Sequence, residues 1–276
     1  MKIFLTGGSG FIGSSFINIA LKKKYFINAL SRKERIKKKN LNWLKGDLDG
    51  NWSAYLKESD ILVHIAAAGV NKNKISKKKI FDVNVTKSLV LIKSALKNGV
   101  DKFLIISTSS EYGQISNRLS PINKNQNRNP KNNYASSKVV FINKIKKLAK
   151  KNNCKFRIMR LFPIYGNGES KHRLYPSIIK AAKKGSNFVV NNPSELRDFT
   201  HIKLTSKILI DACKFKKKTK KFEIFHVSSN KPMTVKNFVI KFWKKFKAKG
   251  RLIFKNEKKI FSEHLSDIKS TWKLKK

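Results

Sequence analysis

Glycine weakens regular structure, yet the chain places Gly7, Gly8, Gly10 and Gly13 directly behind its first apolar run, Ile3-Phe4-Leu5. Gly7, Gly10 and Gly13 are spaced by three, and Phe11, Ile12, Phe16, Ile17 and Ala20 then recur at helical spacing to about Lys22. A strand that enters a glycine turn and leaves as a helix is a strong constraint on the fold. The turn brings backbone close to whatever lies over it, and the helix start offers free N–H groups at the positive end of its dipole. This is the turn an open parallel sheet uses to hold a dinucleotide pyrophosphate.

The rest of the first half keeps the same rhythm. Tyr25–Leu30, Leu41–Leu44, Ile61–Ile65, Phe103–Ile106 and Phe156–Met159 read as strands. Trp52–Lys57 reads as a short helix, and Ile75–Lys97 and Tyr134–Lys151 as long ones, with a polar loop over 114–133. The alternation predicts an α/β fold, a Rossmann-type doubly wound parallel sheet with helices on both faces. After Leu161 the chain is broken by Pro163, Gly166, Gly168, Pro176 and Pro193. Helices over 174–184, 202–213 and 234–247 and a strand over 223–227 are the clearest elements there. The expected layout is a dinucleotide-binding domain over 1–162, completed by elements from about 198–228. A small mixed C-terminal lobe for substrate would be built from 163–197 and 229–276.

Composition sets the class. With 276 residues, 40% of them hydrophobic, the chain can bury a large core. No apolar run is long enough to span a membrane and the start does not read as a signal peptide, so a soluble cytoplasmic protein is expected. Cys154 and Cys213 lie far apart with no metal-like spacing, and no metal site is expected. The net charge of +47 comes mostly from lysine spread along the whole chain beside abundant Asn, Ile and Phe. That pattern reads as compositional drift more than as a nucleic-acid surface, although nonspecific polyanion binding at low salt follows from the charge.

The end of the second strand bears on the cofactor. An acid there would bind a ribose 2′-hydroxyl and repel a 2′-phosphate, but the chain reads Leu30-Ser31-Arg32-Lys33. A hydroxyl and cations suit the phosphate, so NADP is preferred to NAD, with Glu34 close by as the counter-argument. Asp47, behind the third strand, is a candidate partner for the adenine amino group.

A second constellation carries chemistry. Ser107-Thr108-Ser109-Ser110-Glu111-Tyr112-Gly113 follows the fifth strand, and Tyr134-Ala135-Ser136-Ser137-Lys138 opens the long helix. Tyr134 and Lys138 are four apart and share a helix face. An ammonium beside a phenol favours the phenolate, which makes the tyrosine an acid or base near neutral pH. Thr108 would hold the substrate oxygen beside it.

These motifs together resemble the extended short-chain dehydrogenase/reductase family, the NAD(P)-dependent nucleotide-sugar epimerases, dehydratases and reductases. The likeness runs through Thr6–Gly13, Gly46-Asp47, His64-Ile65-Ala66-Ala67, Asn84-Val85-Thr86, Ser107–Gly113, Tyr134 with Lys138, Arg160–Gly166 and Arg197–Ile202. It implies Thr108, Tyr134 and Lys138 as catalytic residues, with Lys138 also on the nicotinamide ribose. It implies Gly7, Gly10, Phe11, Ile12, Gly13, Ser31, Arg32, Asp47 and Ala66 around the cofactor. Thr108, Arg173 and Arg197 are implied on the substrate side, Arg197 at a position that often reaches nucleotide-sugar phosphates. The family also commonly forms homodimers through helices matching 75–97 and 134–151.

Departures from the family narrow the reading. Dehydratases place an Asp-Glu pair where this chain has Ser109 and Ser110, which argues against a 4,6-dehydratase. Pro163 stands where an asparagine is frequent, and Arg173 where a substrate-contacting asparagine is common. The expected reaction is hydride transfer at a sugar carbon, C4 keto reduction before the alternative, an NAD-dependent C4 epimerisation. A non-catalytic cofactor sensor or RNA-associated member of the fold is the reading from another class; the intact Thr108, Tyr134 and Lys138 count against it.

Overall fold

The computed structural model describes residues 1–70, 75–113, 121–255 and 265–274. The first half runs β1 (Lys2–Thr6), α1 (Phe11–Lys22), β2 (Phe26–Ser31), β3 (Leu41–Lys45), α2 (Ser53–Lys57) and β4 (Ile61–His64). A helical run follows, made of α3 (Lys77–Phe81), a π-helical turn (Asp82–Lys87) and α4 (Ser88–Lys97). Then come β5 (Lys102–Thr108), a 3-10 turn (Ser109–Tyr112), α5 (Asn133–Lys151) and β6 (Lys155–Leu161). The second half contains β7 (Ile164–Tyr165), α6 (Leu174–Lys184), β8 (Phe188–Val190), β9 (Leu196–Arg197), β10 (Thr200–His201) and α7 (Ile202–Ala212). It continues with β11 (Phe222–Val227), β12 (Met233–Thr234), α8 (Val235–Lys245) and β13 (Leu252–Phe254).

Seven strands form one sheet in the order β3-β2-β1-β4-β5-β6-β11, with every neighbouring pair parallel. This is the expected Rossmann-type sheet, and its strand order reverses direction between β1 and β4. Alternation along β1 supplies both faces. Ile3 and Leu5 pack with Phe16, Ile208 and Leu209 beneath α1 and α7, while Phe4 faces Ile92, Phe141 and Phe156 beneath α4 and α5. These side chains are buried, so the strands read as continuous apolar runs.

A smaller core lies behind the sheet. Tyr175, Ile178, Phe199, Val239, Phe242 and Trp243 are buried together, and Phe199 stacks on Phe238 with ring centroids 3.9 Å apart. Pairs of two- or three-residue strands stitch it: β10 with β7, β12 with β9 and β13 with β8. These short strands were not predicted, because two or three residues carry no readable alternation.

The helix predicted over 75–97 is one helical run interrupted by the π-helical turn, which carries Asn84 inward to 1% exposure. Helix α8 ends at Lys245 instead of 247, where Lys247 takes a positive φ of 47°. On the two helices that match the family's dimer interface, the apolar residues Ile80, Ile92, Ile142 and Ile145 are buried within the chain. No helix among the described residues is long and apolar enough to cross a membrane. Part of the predicted 114–133 loop, residues 114–120, lies outside the described residues.

Candidate active site

The carboxyl ends of β1, β4 and β5 carry Gly7, Ala66 and Thr108 beside the reversal in strand order, where open α/β sheets leave a crevice. Gly7 closes β1 with φ of 72°, and a Cβ there would stand 2.6 Å from the Ala66 nitrogen. A Cβ on Gly13 would run into the Gly7 carbonyl oxygen, so the first turn of α1 lies against the loop. The Gly10 N–H donates to the Gly7 carbonyl at 3.1 Å. Gly10 caps α1 with no side chain, and no acid occupies the first turn. The result is a cradle of bare backbone at the positive end of a helix dipole, which fits a dinucleotide diphosphate. Phe11 and Ile12 open this helix, half-buried, and Ala66 lies against the turn with its N–H on Thr6 Oγ1 at 3.2 Å.

The ends of β2 and β3 carry the other residues expected around the cofactor. The Ser31 hydroxyl donates to the Lys33 carbonyl at 2.8 Å and accepts from Arg35 Nε at 3.2 Å. Arg32 is exposed, and Glu34 is held by Lys45 at 2.7 Å. Asp47 accepts from the Leu48 N–H at 2.8 Å and from Lys87 at 3.0 Å. Burial pushes the Asp47 carboxyl up, but the Leu48 N–H, Lys87 and Arg32 outweigh it and hold the pKa below the usual range.

His64 ends β4 as a fixed strut. Its Nδ1 lies 2.8 Å from Thr6 Oγ1 and its Nε2 3.0 Å from Ser88 Oγ. Burial, with the charge of Lys138, lowers its pKa to about 3, so the ring stays neutral. Asn84 ties the loop behind β4 to α5: it bonds both the N–H and the carbonyl of Ala68 and donates to Ser137 at 2.9 Å.

Thr108 ends β5, and α5 carries Tyr134 and Lys138 beside that strand. The Asn132 side chain caps α5 by accepting from the Ala135 N–H at 2.8 Å, which sets Tyr134 in the first turn. One turn on, Lys138 is 2% exposed and donates from Nζ to the Ile106 carbonyl of β5 at 3.0 Å. The Thr108 hydroxyl, half-buried, donates to Ser110 Oγ at 3.2 Å. The electrostatics differ from the sequence expectation. Burial raises the Tyr134 phenol above its ordinary value, the Glu111 carboxylate raises it further, and Arg173 opposes them. Burial also lowers Lys138 to about 8, with Glu111 holding it up. Lys138 is not among the charges that set the phenol; its ammonium donates to the Ile106 carbonyl and its charge acts on His64 instead.

Glu111 is the residue that sequence reasoning passed over. It is fully buried, bonded by the Ser107 hydroxyl, and paired with Arg160 at 3.0 Å and Arg128 at 3.7 Å. Arg160 also donates to the Tyr112 hydroxyl, which lies 2.6 Å from His226 Nε2. A carboxyl inside the Ser107–Gly113 motif carries no local signal of a partner as distant in sequence as Arg160.

Besides Thr108, the two other predicted substrate residues sit in the second half. Arg173 is 55% exposed and donates from Nε to Glu169 at 3.2 Å. Arg197, on β9, pairs with Glu195 at 2.7 Å, so its guanidinium already holds a carboxylate.

Comparisons with known proteins agree with this geometry. The model of the NAD dependent epimerase/dehydratase family matches residues 3–228. The UDP-glucose 4-epimerase of Vibrio cholerae is 28% identical over 190 residues, which are 67% of this chain and 57% of that enzyme, so the match spans little more than half of that relative. Among solved structures, the UDP-N-acetylglucosamine 4-epimerase of Methanobrevibacter ruminantium, in complex with UDP-N-acetylmuramic acid, superposes with a TM-score of 0.83 at 23% identity, covering 97% of this chain and 89% of that one. The UDP-glucuronic acid 4-epimerase of Bacillus cereus, in complex with UDP-glucuronic acid and NAD, gives a TM-score of 0.82 at 20% identity, covering 98% and 91%. The sheet, the glycine cradle and the matched span lead to one statement: this chain belongs to the NAD dependent epimerase/dehydratase family.

Proposed function

We propose that the chain transfers a hydride and a proton at C4 of a nucleotide-linked hexose, working chiefly as a 4-keto reductase. The observation that carries this reading is the tie from Lys138, one turn beyond Tyr134 on α5, to the Ile106 carbonyl of the strand that ends in Thr108, two strands from the glycine cradle. Gly7, Gly10, Phe11, Ile12 and Gly13 would hold the cofactor diphosphate with Ala66 against their turn, Asp47 would face the adenine, and Lys138 the nicotinamide ribose. When bound, the nicotinamide supplies the hydride donor or acceptor.

The chain's own residues handle the proton. Burial keeps Tyr134 protonated at neutral pH, so its resting state is an acid. Thr108 orients the sugar oxygen by a hydrogen bond, and Tyr134 gives that oxygen its proton as the ketone is reduced. Arg173 opposes the rise in the Tyr134 pKa and thereby favours the phenolate left behind. A 4,6-elimination needs a free acid beside Thr108. Ser109 and Ser110 lack one, and Glu111 is tied to Arg160 and Ser107.

We read the cofactor as NADP in preference to NAD. The support is the exposed Arg32 at the end of β2 and the engagement of Glu34 by Lys45, which draws the nearby acid toward a lysine. The second reading is C4 epimerisation with recycled NAD; it draws on the 4-epimerases among the similar proteins. We also propose a homodimer through helices 75–97 and 134–151. Val90 and Ile75 are exposed apolar residues there, among exposed Lys93, Lys97, Lys144, Lys146, Lys147 and Lys150, so pairing would require salt.

The test follows NADPH and NADH absorbance with UDP-, dTDP- and GDP-linked 4-keto hexoses. Consumption of NADPH matched to product supports the reductase; epimer formation with no net cofactor change supports the second reading. Tyr134→Phe should keep cofactor binding and lose turnover by about 10²–10⁴-fold. Unchanged turnover in that variant would overturn the mechanism.

A further inference from the structure

Glu169 presents an anomaly that the reading above does not use. Its side chain is 8% exposed, in a chain with only 16 acids against 63 Lys and Arg. One carboxylate oxygen, Oε1, takes the Nε–H of Arg173 at 3.2 Å. The other, Oε2, is buried and has no hydrogen-bond partner among the described residues. A buried acceptor without a donor is costly, and a charged one more so. Burial raises the Glu169 pKa against the pull of Arg173 and of the Gly166 backbone N–H, in keeping with that cost.

Its location narrows what can fill the gap. The backbone of Gly168, next in the chain, lies over the Phe11 ring that opens α1: a Cβ on Gly168 would meet it at 3.6 Å. The Glu169 N–H closes this loop onto the Gly166 carbonyl at 3.2 Å. On the other side, Arg173 acts electrostatically on Tyr134, and Glu169 itself acts on Tyr175. Glu169 therefore follows a glycine that packs on the start of α1 and pairs with an arginine whose charge reaches the phenol, next to the proposed cofactor and proton sites.

Charge then chooses the end of the substrate. Phosphate oxygens are acceptors and are repelled by a carboxylate. Sugar hydroxyls and amides are donors. Arg173 commits Nε to Glu169, and among the described residues its terminal nitrogens bond no side chain, so they can take a diphosphate in paired fashion. The Glu169–Arg173 pair thus marks a boundary, with donor groups on one side and phosphates on the other.

We propose that Glu169 is a specificity-determining residue whose free carboxylate oxygen accepts a hydroxyl or amide N–H of the hexose, while its pairing with Arg173 leaves that arginine for the diphosphate. This rests on the nucleotide-sugar reading above and extends it to the sugar contact.

Calorimetric titration with UDP and UDP-glucose tests it, after the wild-type protein has been screened with the UDP, dTDP and GDP pairs to choose the nucleotide. Glu169→Ala should weaken the sugar nucleotide about tenfold or more while the free nucleotide stays within about twofold. Glu169→Gln, which keeps an acceptor oxygen in the same shape, should recover most of that loss. Thermal melting of both variants checks folding, and the isosteric variant keeps the test usable if the alanine fails to fold. Parallel weakening of nucleotide and sugar nucleotide would overturn the proposal, because Glu169 would then act only through Arg173. No weakening of either would overturn it as well. A folded wild type that binds none of the sugar nucleotides would remove the functional reading itself, and the inference with it.

Discussion

The ammonium nitrogen of Lys138 lies 3.0 Å from the carbonyl oxygen of Ile106, so a buried cation on α5 is held by the strand that ends in Thr108. Burial lowers this lysine to about 8. Turnover that depends on the ammonium is expected to fall as pH rises through about 8, and initial rates against pH measure it. Lys138→Met should lose about 10²-fold in turnover across the whole range while remaining folded. A flat alkaline limb in the wild type would detach Lys138 from the chemistry.

Gly13 tests the cradle. A methyl there meets the Gly7 carbonyl oxygen and comes within 2.6 Å of the Gly8 Cα, both parts of the backbone. Gly13→Ala should destabilise the fold by about 1–3 kcal/mol and abolish dinucleotide binding. Gly10→Ala is the contrast, since its Cβ would stand 3.4 Å from the Gly7 oxygen. Thermal melts and cofactor fluorescence titrations of the pair should separate clearly.

His64 makes stability depend on pH. Its pKa is about 3 in the folded chain against an ordinary 6.5. Between those values the unfolded chain takes up a proton that the folded chain refuses. Stability is therefore intact above 6.5 and is lost as pH falls toward 3, by up to about 1.4 kcal/mol per pH unit from this group. His64→Asn should flatten that part of the profile in urea melts taken across the window. An unchanged slope would mean that other groups set it.

Arg32 tests the cofactor preference. It is exposed at the end of β2, where a 2′-phosphate would lie. Arg32→Ala should weaken NADP by about tenfold and leave NAD within about twofold. Equal loss for both dinucleotides would argue that Arg32 serves the shared diphosphate and not the phosphate on the ribose.

The parts of this molecule that were legible in the sequence are those set by local pattern. The glycine turn, the strands of the large sheet and the Tyr134–Lys138 spacing each announce themselves within a few residues. What was not legible depends on distant partners. Glu111 gains its meaning from Arg160, 49 residues on, and a carboxyl beside Tyr112 gave no sign of being buried by it. The phenol of Tyr134 was read from its helical neighbour alone, yet burial and Glu111 govern it, and only packing reveals that. The strand pairs of the small core escape for a different reason. Residues 188–190 and 252–254 align over three positions each, too few for a period to show.

The π-helical turn at Asp82–Lys87 has one more consequence. A uniformly wound helix would advance each side chain by about 100°, and the wider turn absorbs part of that advance. An in-frame deletion of a single codon between these residues would restore ordinary winding and swing the Asn84 amide off its bearing. Ala68 and Ser137 would lose their common tie together. The smallest possible genetic lesion in this helix would thus disconnect the loop behind β4 from the helix that carries Tyr134, without touching either.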